Sequence, residues 1–245
     1  MPKYARDELG LFGINLPTDL LAGAGRQELE RFREAADKAS CPCLVLVESE
    51  AQPFASPSDR EADGAIQRML RVVEAAHRLG CNAAAVALSG SSADEAYTRA
   101  AERLRDVLVM AERLEVNLLL ADAPGVSEDP DRLTELIKRV GGFRIGTFPD
   151  FLSASKTKDP VHYLRRLTPY AAALVVTTSE FSEDKGSPTG YAHAAYDINA
   201  FAESIQSVGY QGTIAIDYQG GGDIDRGVVL TRQALEEALG IVTES

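Results

Sequence analysis

Short apolar runs alternate with amphipathic stretches along almost the whole chain, and this alternation limits the folds open to it more than any other feature. The runs at 43–50 (CLVLVESE), 82–88 (NAAAVAL), 116–121 (VNLLLA), 143–148 (FRIGTF), 172–178 (AALVVTT) and 213–217 (TIAID) are strand-sized. Between them lie segments such as 26–40, where Leu29, Phe32, Ala35 and Ala36 fall on one helical face and the charges on the other. An earlier run at 8–16, closed by Pro17, is expected to be a first strand. Strict β/α alternation implies parallel strands, and near-continuous apolar runs imply strands covered on both faces.

The stops agree with the runs. Gly80 ends the helical spacing of 60–79 as a C-cap glycine, and 129–142 opens on acidic residues and closes on two glycines. Further helices are expected near 162–167, over 197–209 and over 228–239, with a loop at 181–195. The total is about seven strand–helix pairs. That number fits an α/β barrel lacking one unit, or an eight-unit barrel whose first unit is degenerate within residues 1–19. The seam of such a barrel is expected to be covered by the N-terminal segment or by a second copy of the chain. A doubly wound open sheet is the competing architecture, but no Gly-rich phosphate loop follows an early strand. A single domain over 1–245 is expected.

The formal net charge of −12 argues against nucleic acid as a partner, because phosphate binding needs a basic face. No apolar run is long enough to cross a membrane. Cys41, Cys43 and Cys81 read as reduced thiols, and Asp7, Glu8 and Asp19 leave no room for a signal sequence, so a cytoplasmic location is expected.

The chemistry is expected at the carboxyl ends of the strands, where barrels build their sites. The run through 143–151 delivers Asp150 there, and 213–217 delivers Asp217. Glu48 and Glu50 follow the second apolar run, and His193 is the histidine with a path to the site. Gly220, Gly221 and Gly222 are read either as a backbone cradle for an anion or as a turn.

Several segments taken in order resemble the xylose isomerase-like TIM barrels, in the branch of sugar phosphate isomerases and epimerases. They are CLVLVESE, VVEAAHRLGCNAAAVAL, IGTFPDF at 145–151, LTPYAAAL at 167–174, VGYQGTIAIDYQG at 208–220 and the closing GVVLTRQAL. The resemblance implies a barrel holding one divalent metal through two Glu, an Asp and a His, with proton or hydride transfer beside a sugar carbonyl. By that pattern Asp150 matches the Asp, and Asp217 stands where a Glu is usual. Ala121 occupies the place of the other Glu, Ser179 that of the His, and Thr177 that of a frequent lysine. Ala85 and Ala87 replace polar residues facing the sugar.

A metal held by Asp150 and Asp217 alone, Mn²⁺ or Mg²⁺, would bind weakly. Asp122 and Glu180 lie one residue beyond the lost ligands, and Glu48, Glu50, Glu180 and His193 are the candidate substrate-binding groups. The resemblance thus implies an isomerase or epimerase-like protein acting on a small carbohydrate or polyol through a depleted metal site. The alternative is a catalytically inactive binding or partner subunit, a homo-oligomer or the companion of an active homologue. A metal-independent enzyme using paired carboxylates is the third reading.

Overall fold

The computed structural model describes residues 1–187 and 190–241, and the chain divides into two compact units, Met1–Phe148 and Pro149–Ser245. In the first, α1 (Pro2–Asp7) precedes β1 (Ile14–Pro17), α2 (Arg26–Lys38), β2 (Cys43–Val47), α3 (Asp59–Leu79), β3 (Ala83–Ala87), α4 (Asp94–Arg113), β4 (Asn117–Ala121), α5 (Pro130–Val140) and β5 (Ile145–Thr147). The five strands form one parallel sheet in the order β1-β2-β3-β4-β5.

Each helix begins and ends where the local chemistry allows. Ser58 accepts the Glu61 N–H at 3.4 Å to open α3, and Gly80, in the left-handed region at φ 77°, closes it. Asp129 caps α5 with Pro130 in its first turn, where a missing N–H costs nothing. The face of α3 that carries Met69, Val72, Val73 and Ala76 is buried, as are Leu118, Leu119 and Leu120 of β4. Each fully buried leucine contributes about 2 kcal/mol.

The second unit contains α6 (Phe151–Ser155), α7 (Pro160–Leu167), β6 (Ala173–Thr178), β7 (Phe181–Glu183), β8 (Tyr191–His193), α8 (Ile198–Gln206), β9 (Thr213–Tyr218) and α9 (Ile224–Ala238). β6 and β9 pair in parallel, with Thr177 opposite Asp217. A bridge between Asp150 and Val175 places the end of the fifth run beside β6. The helix α7 lies where the spacing predicts one.

Among the described residues, seven strands run in parallel pairs, matching the count expected from the alternation. Three elements were not expected. Helix α1 and the short α6 carry too few residues to show periodicity. The segment 181–195, expected to be a loop, contains an antiparallel hairpin in which Phe181 pairs with His193. Its strands span three residues each, too short to alternate visibly, and residues 188 and 189 of that stretch lie outside the described residues.

Candidate functional site

In the second unit the site is built on the edge of β6 that faces Pro149 and Asp150. Odd-numbered residues of β6 turn their peptide groups to this edge, as the Val175 N–H to Pro149 O bond of 2.9 Å shows. After Pro149 the chain leaves the sheet to start α6, so the next N–H and C=O on that edge have no strand to meet. Side chains replace it. Asp150 Oδ1 accepts the Thr177 N–H at 3.0 Å, the Tyr196 hydroxyl donates to Thr177 O at 2.7 Å, and His193 Nε2 accepts the Ser179 N–H at 3.1 Å. Three separate segments thereby continue a ladder that backbone began.

Local sequence explains how each arrives. Asp150 is the N-cap of α6, and the same Oδ1 also accepts the Leu152 N–H at 3.3 Å. Tyr196 precedes Asp197, the N-cap of α8, and stacks on Phe201 four residues into that helix, with ring centroids 5.0 Å apart and planes at 7°. This is a hydrophobic staple. The hairpin of β7 and β8 carries His193, whose ring meets Tyr196 at 4.2 Å. Phe151, fully buried, meets Phe201 edge-on at 5.4 Å behind them.

Burial, reinforced by the charge of Asp150, pushes the Tyr196 hydroxyl far above the ordinary range, so it stays protonated and remains a donor. Burial moves the His193 imidazole the other way, below its usual value. A ring nitrogen that accepts a backbone N–H carries no proton, so both effects favour the neutral ring.

Asp217 sits at the register position opposite Thr177, near the carboxyl end of β9. It is exposed, and its Oδ2 accepts from Gln219 Nε2 at 2.7 Å. The bridge from Asp150 to Val175 and the pair Thr177–Asp217 put both aspartates on one face, because lateral neighbours share a face and alternate residues return to it. With β6 between them and an offset of two residues along it, their backbones lie roughly 12 Å apart. Glu180 is exposed just past Ser179. Within the glycine run, a Cβ on Gly220 would collide with Tyr218 and the Ser179 carbonyl, whereas Gly221 and Gly222 border open space.

In the first unit, Ala87 and Ala121 are lateral partners at the ends of β3 and β4, and Ala85 pairs with Leu119 behind them. Glu48 lies elsewhere. It turns to the helix layer, where its Oε2 accepts from Arg68 Nε of α3 at 2.8 Å and from Thr18 Oγ1 at 3.2 Å, at 5% exposure. Val47 pairs with Ala85, so its neighbour Glu48 faces away from the alanine row. Glu50 is exposed.

These residues do not fit a divalent ion. Asp150 Oδ1 already serves two backbone donors, Ala121 offers a methyl, and Ser179 contributes its backbone N–H to His193. Among the described residues no group of three or more His, Cys, Asp or Glu is placed to hold a metal. Sequence reasoning missed Thr177 as the backbone partner of Asp150 and Tyr196 as the donor to the Thr177 carbonyl. The signal present was a tyrosine ahead of an N-cap aspartate with phenylalanine five residues on, the staple spacing.

Parallel strands with intervening helices are the elements of an α/β protein of the TIM-barrel class. The family description "Xylose isomerase-like TIM barrel" matches residues 5–239, so the chain belongs to that family. A search of the curated proteins found no match.

Solved structures share the fold at low identity. The IolI protein with a bound zinc atom superposes with a TM-score of 0.77 at 12% identity, over 100% of this chain and 94% of that one. L-ribulose 3-epimerase gives 0.79 at 13%, over 94% and 86%. A xylose isomerase-like TIM barrel protein from Mycobacterium smegmatis in complex with magnesium gives 0.71 at 17%, over 97% and 88%. No helix among the described residues is long and apolar enough to cross a membrane.

Proposed function

We propose that this chain binds a small neutral carbohydrate or polyol at the strand ends of its second unit without a resident divalent ion, as a binding or partner member of a family of isomerases and epimerases. The observation that carries the reading is the double engagement of Asp150 Oδ1 by the Thr177 and Leu152 N–H groups. A carboxylate oxygen occupied in this way completes the sheet and is a poor metal donor. Asp217 and Glu180, exposed nearby, are acceptors suited to hydroxyl groups. Their negative charge disfavours a phosphorylated sugar, since like charges brought together cost energy. IolI with zinc and the magnesium complex bear on those relatives alone; here two of the four expected donor positions carry Ala121 and Ser179.

A second reading has one observation in its favour. Asp217 is exposed and oriented by Gln219, as a group exchanging protons with a bound polyol would be. Under that reading the chain is a metal-independent epimerase, and Asp217→Asn abolishes turnover.

The test is titration of the full chain with Mn²⁺ and Mg²⁺, followed by calorimetry with a panel of neutral ketoses, polyols and sugar phosphates. Binding of a neutral ligand that is unchanged by a chelator, with no near-stoichiometric metal uptake, is the expected result. Near-stoichiometric uptake lost in Asp150→Asn overturns the proposal.

A further inference from the structure

Cys43 opens β2 and Cys81 stands two residues ahead of β3, at the same end of two paired strands. Val45 pairs with Ala83, and the Asn82 N–H bonds Leu44 O at 2.9 Å, so the ladder continues down to this level. Neighbouring strands run roughly 4.8 Å apart, inside the ~4.4–6.8 Å window of Cα separations that a disulfide spans. The register sets Cys43 opposite Cys81 on one face of the pair. Both are buried, Cys43 at 1% and Cys81 at 5% exposure, and Arg33 of α2 packs over Gly80 beside them.

The geometry points to Cys43 and Cys81 as an oxidative modification site, at which hydrogen peroxide converts the dithiol to an intrachain disulfide. The roles of the two sulfurs differ. The neighbouring Cys81 thiol lowers the pKa of Cys43, and Cys43 together with burial raises that of Cys81, so Cys43 is the nucleophile and Cys81 keeps its proton.

The Cys43 sulfur attacks one peroxide oxygen. The S–O bond forms, the O–O bond breaks, and the hydroxide that leaves takes a proton to become water. Cys81 sulfur then attacks the sulfenic sulfur of Cys43, forming S–S and breaking S–O. The second hydroxide carries off the Cys81 proton. Two thiols are oxidised by two electrons in all, one peroxide is reduced, and two waters are released. The product fastens β2 to β3 across the segment that contains α3.

Cys41, also buried, is the internal control. The experiment treats the folded full-length chain with hydrogen peroxide, removes the peroxide, denatures, alkylates free thiols and maps peptides by mass spectrometry. Expected is alkylation at Cys41 only, with a Cys43–Cys81 cross-linked peptide that dithiothreitol removes. In Cys81→Ser the cross-link is absent and a sulfenic-acid trap labels Cys43. Three alkylated thiols after exposure that oxidises a surface-thiol control protein, or a cross-link that includes Cys41, overturns the proposal. Should Cys81→Ser fail to fold, the wild-type peptide map decides alone.

Discussion

Asp150 and Thr177 stand 27 residues apart in sequence, and the Oδ1 of the first accepts the backbone N–H of the second at 3.0 Å. A carboxylate thus takes the place of a strand carbonyl on the edge of β6, next to the Pro149 carbonyl that Val175 meets. Tyr196 satisfies the carbonyl of the same residue at 2.7 Å. These two bonds give Asp150 a structural role that can be measured apart from any ligand.

Asp150→Ala leaves a buried backbone N–H without a partner and removes the cap of α6. Together these losses cost about 2–4 kcal/mol. Asp150→Asn keeps an acceptor oxygen and costs about 1 kcal/mol or less. Urea unfolding of the two variants checks the order. Equal losses would show that charge rather than oxygen placement matters there.

Tyr196→Phe keeps the stack on Phe201 and deletes only the donor to Thr177 O. The expected loss is about 1–2 kcal/mol, because a buried carbonyl is left unmet. Unfolding midpoints of wild type, Tyr196→Phe, Asp150→Ala and the double variant complete a cycle. Coupling above about 0.5 kcal/mol is expected for two residues sharing one peptide edge.

The pH dependence follows from His193, whose pKa burial depresses. Its unfolded value is about 6.5. Between that value and the lower folded one the unfolded chain binds more protons, so stability rises with pH across this interval. The contribution is intact above about pH 6.5 and is lost as the pH falls through the folded value. Denaturation at a series of pH values, comparing wild type with His193→Gln, is expected to show a slope that the variant lacks. An identical profile for both proteins would remove the neutral-ring assignment.

Glu48 is held by Arg68 and Thr18 on the helix side of β2, so Arg68→Met is expected to destabilise the chain by about 1–3 kcal/mol through an unpaired, buried carboxylate. Ligand affinity measured by calorimetry is expected to be unchanged in that variant. A loss of affinity without a loss of stability would return Glu48 to the site.

Gly125 is a backbone test of the loop after β4. It holds φ at 103°, and a Cβ there would strike the Gly90 carbonyl oxygen, which cannot swing away as a side chain would. Gly125→Ala is expected to cost about 2 kcal/mol or more, combining left-handed strain with the clash. A thermal midpoint within error of wild type would show that the loop yields.

The order and type of most elements were legible in the chain because each is a local property. Met69, Val72, Val73 and Ala76 repeat at helical spacing, Gly80 marks the stop, and LLL in β4 marks a strand covered on both faces. The same locality concealed α6 and the hairpin, whose three to five residues hold no full period. Asp150 and Asp217 could be placed at strand ends from the runs that precede them. That Glu48 turns toward Arg68 could not, since one residue of register decides which face a side chain takes.

Periodicity and caps are written in the sequence alone, because each depends on neighbours within a turn or two. The assignment of Asp150, Tyr196 and His193 to one edge of β6 belongs to the tertiary structure. It depends on where the chain after Pro149 leaves the edge of β6, and only the folded second unit leaves those peptide groups open for side chains brought from distant parts of the chain.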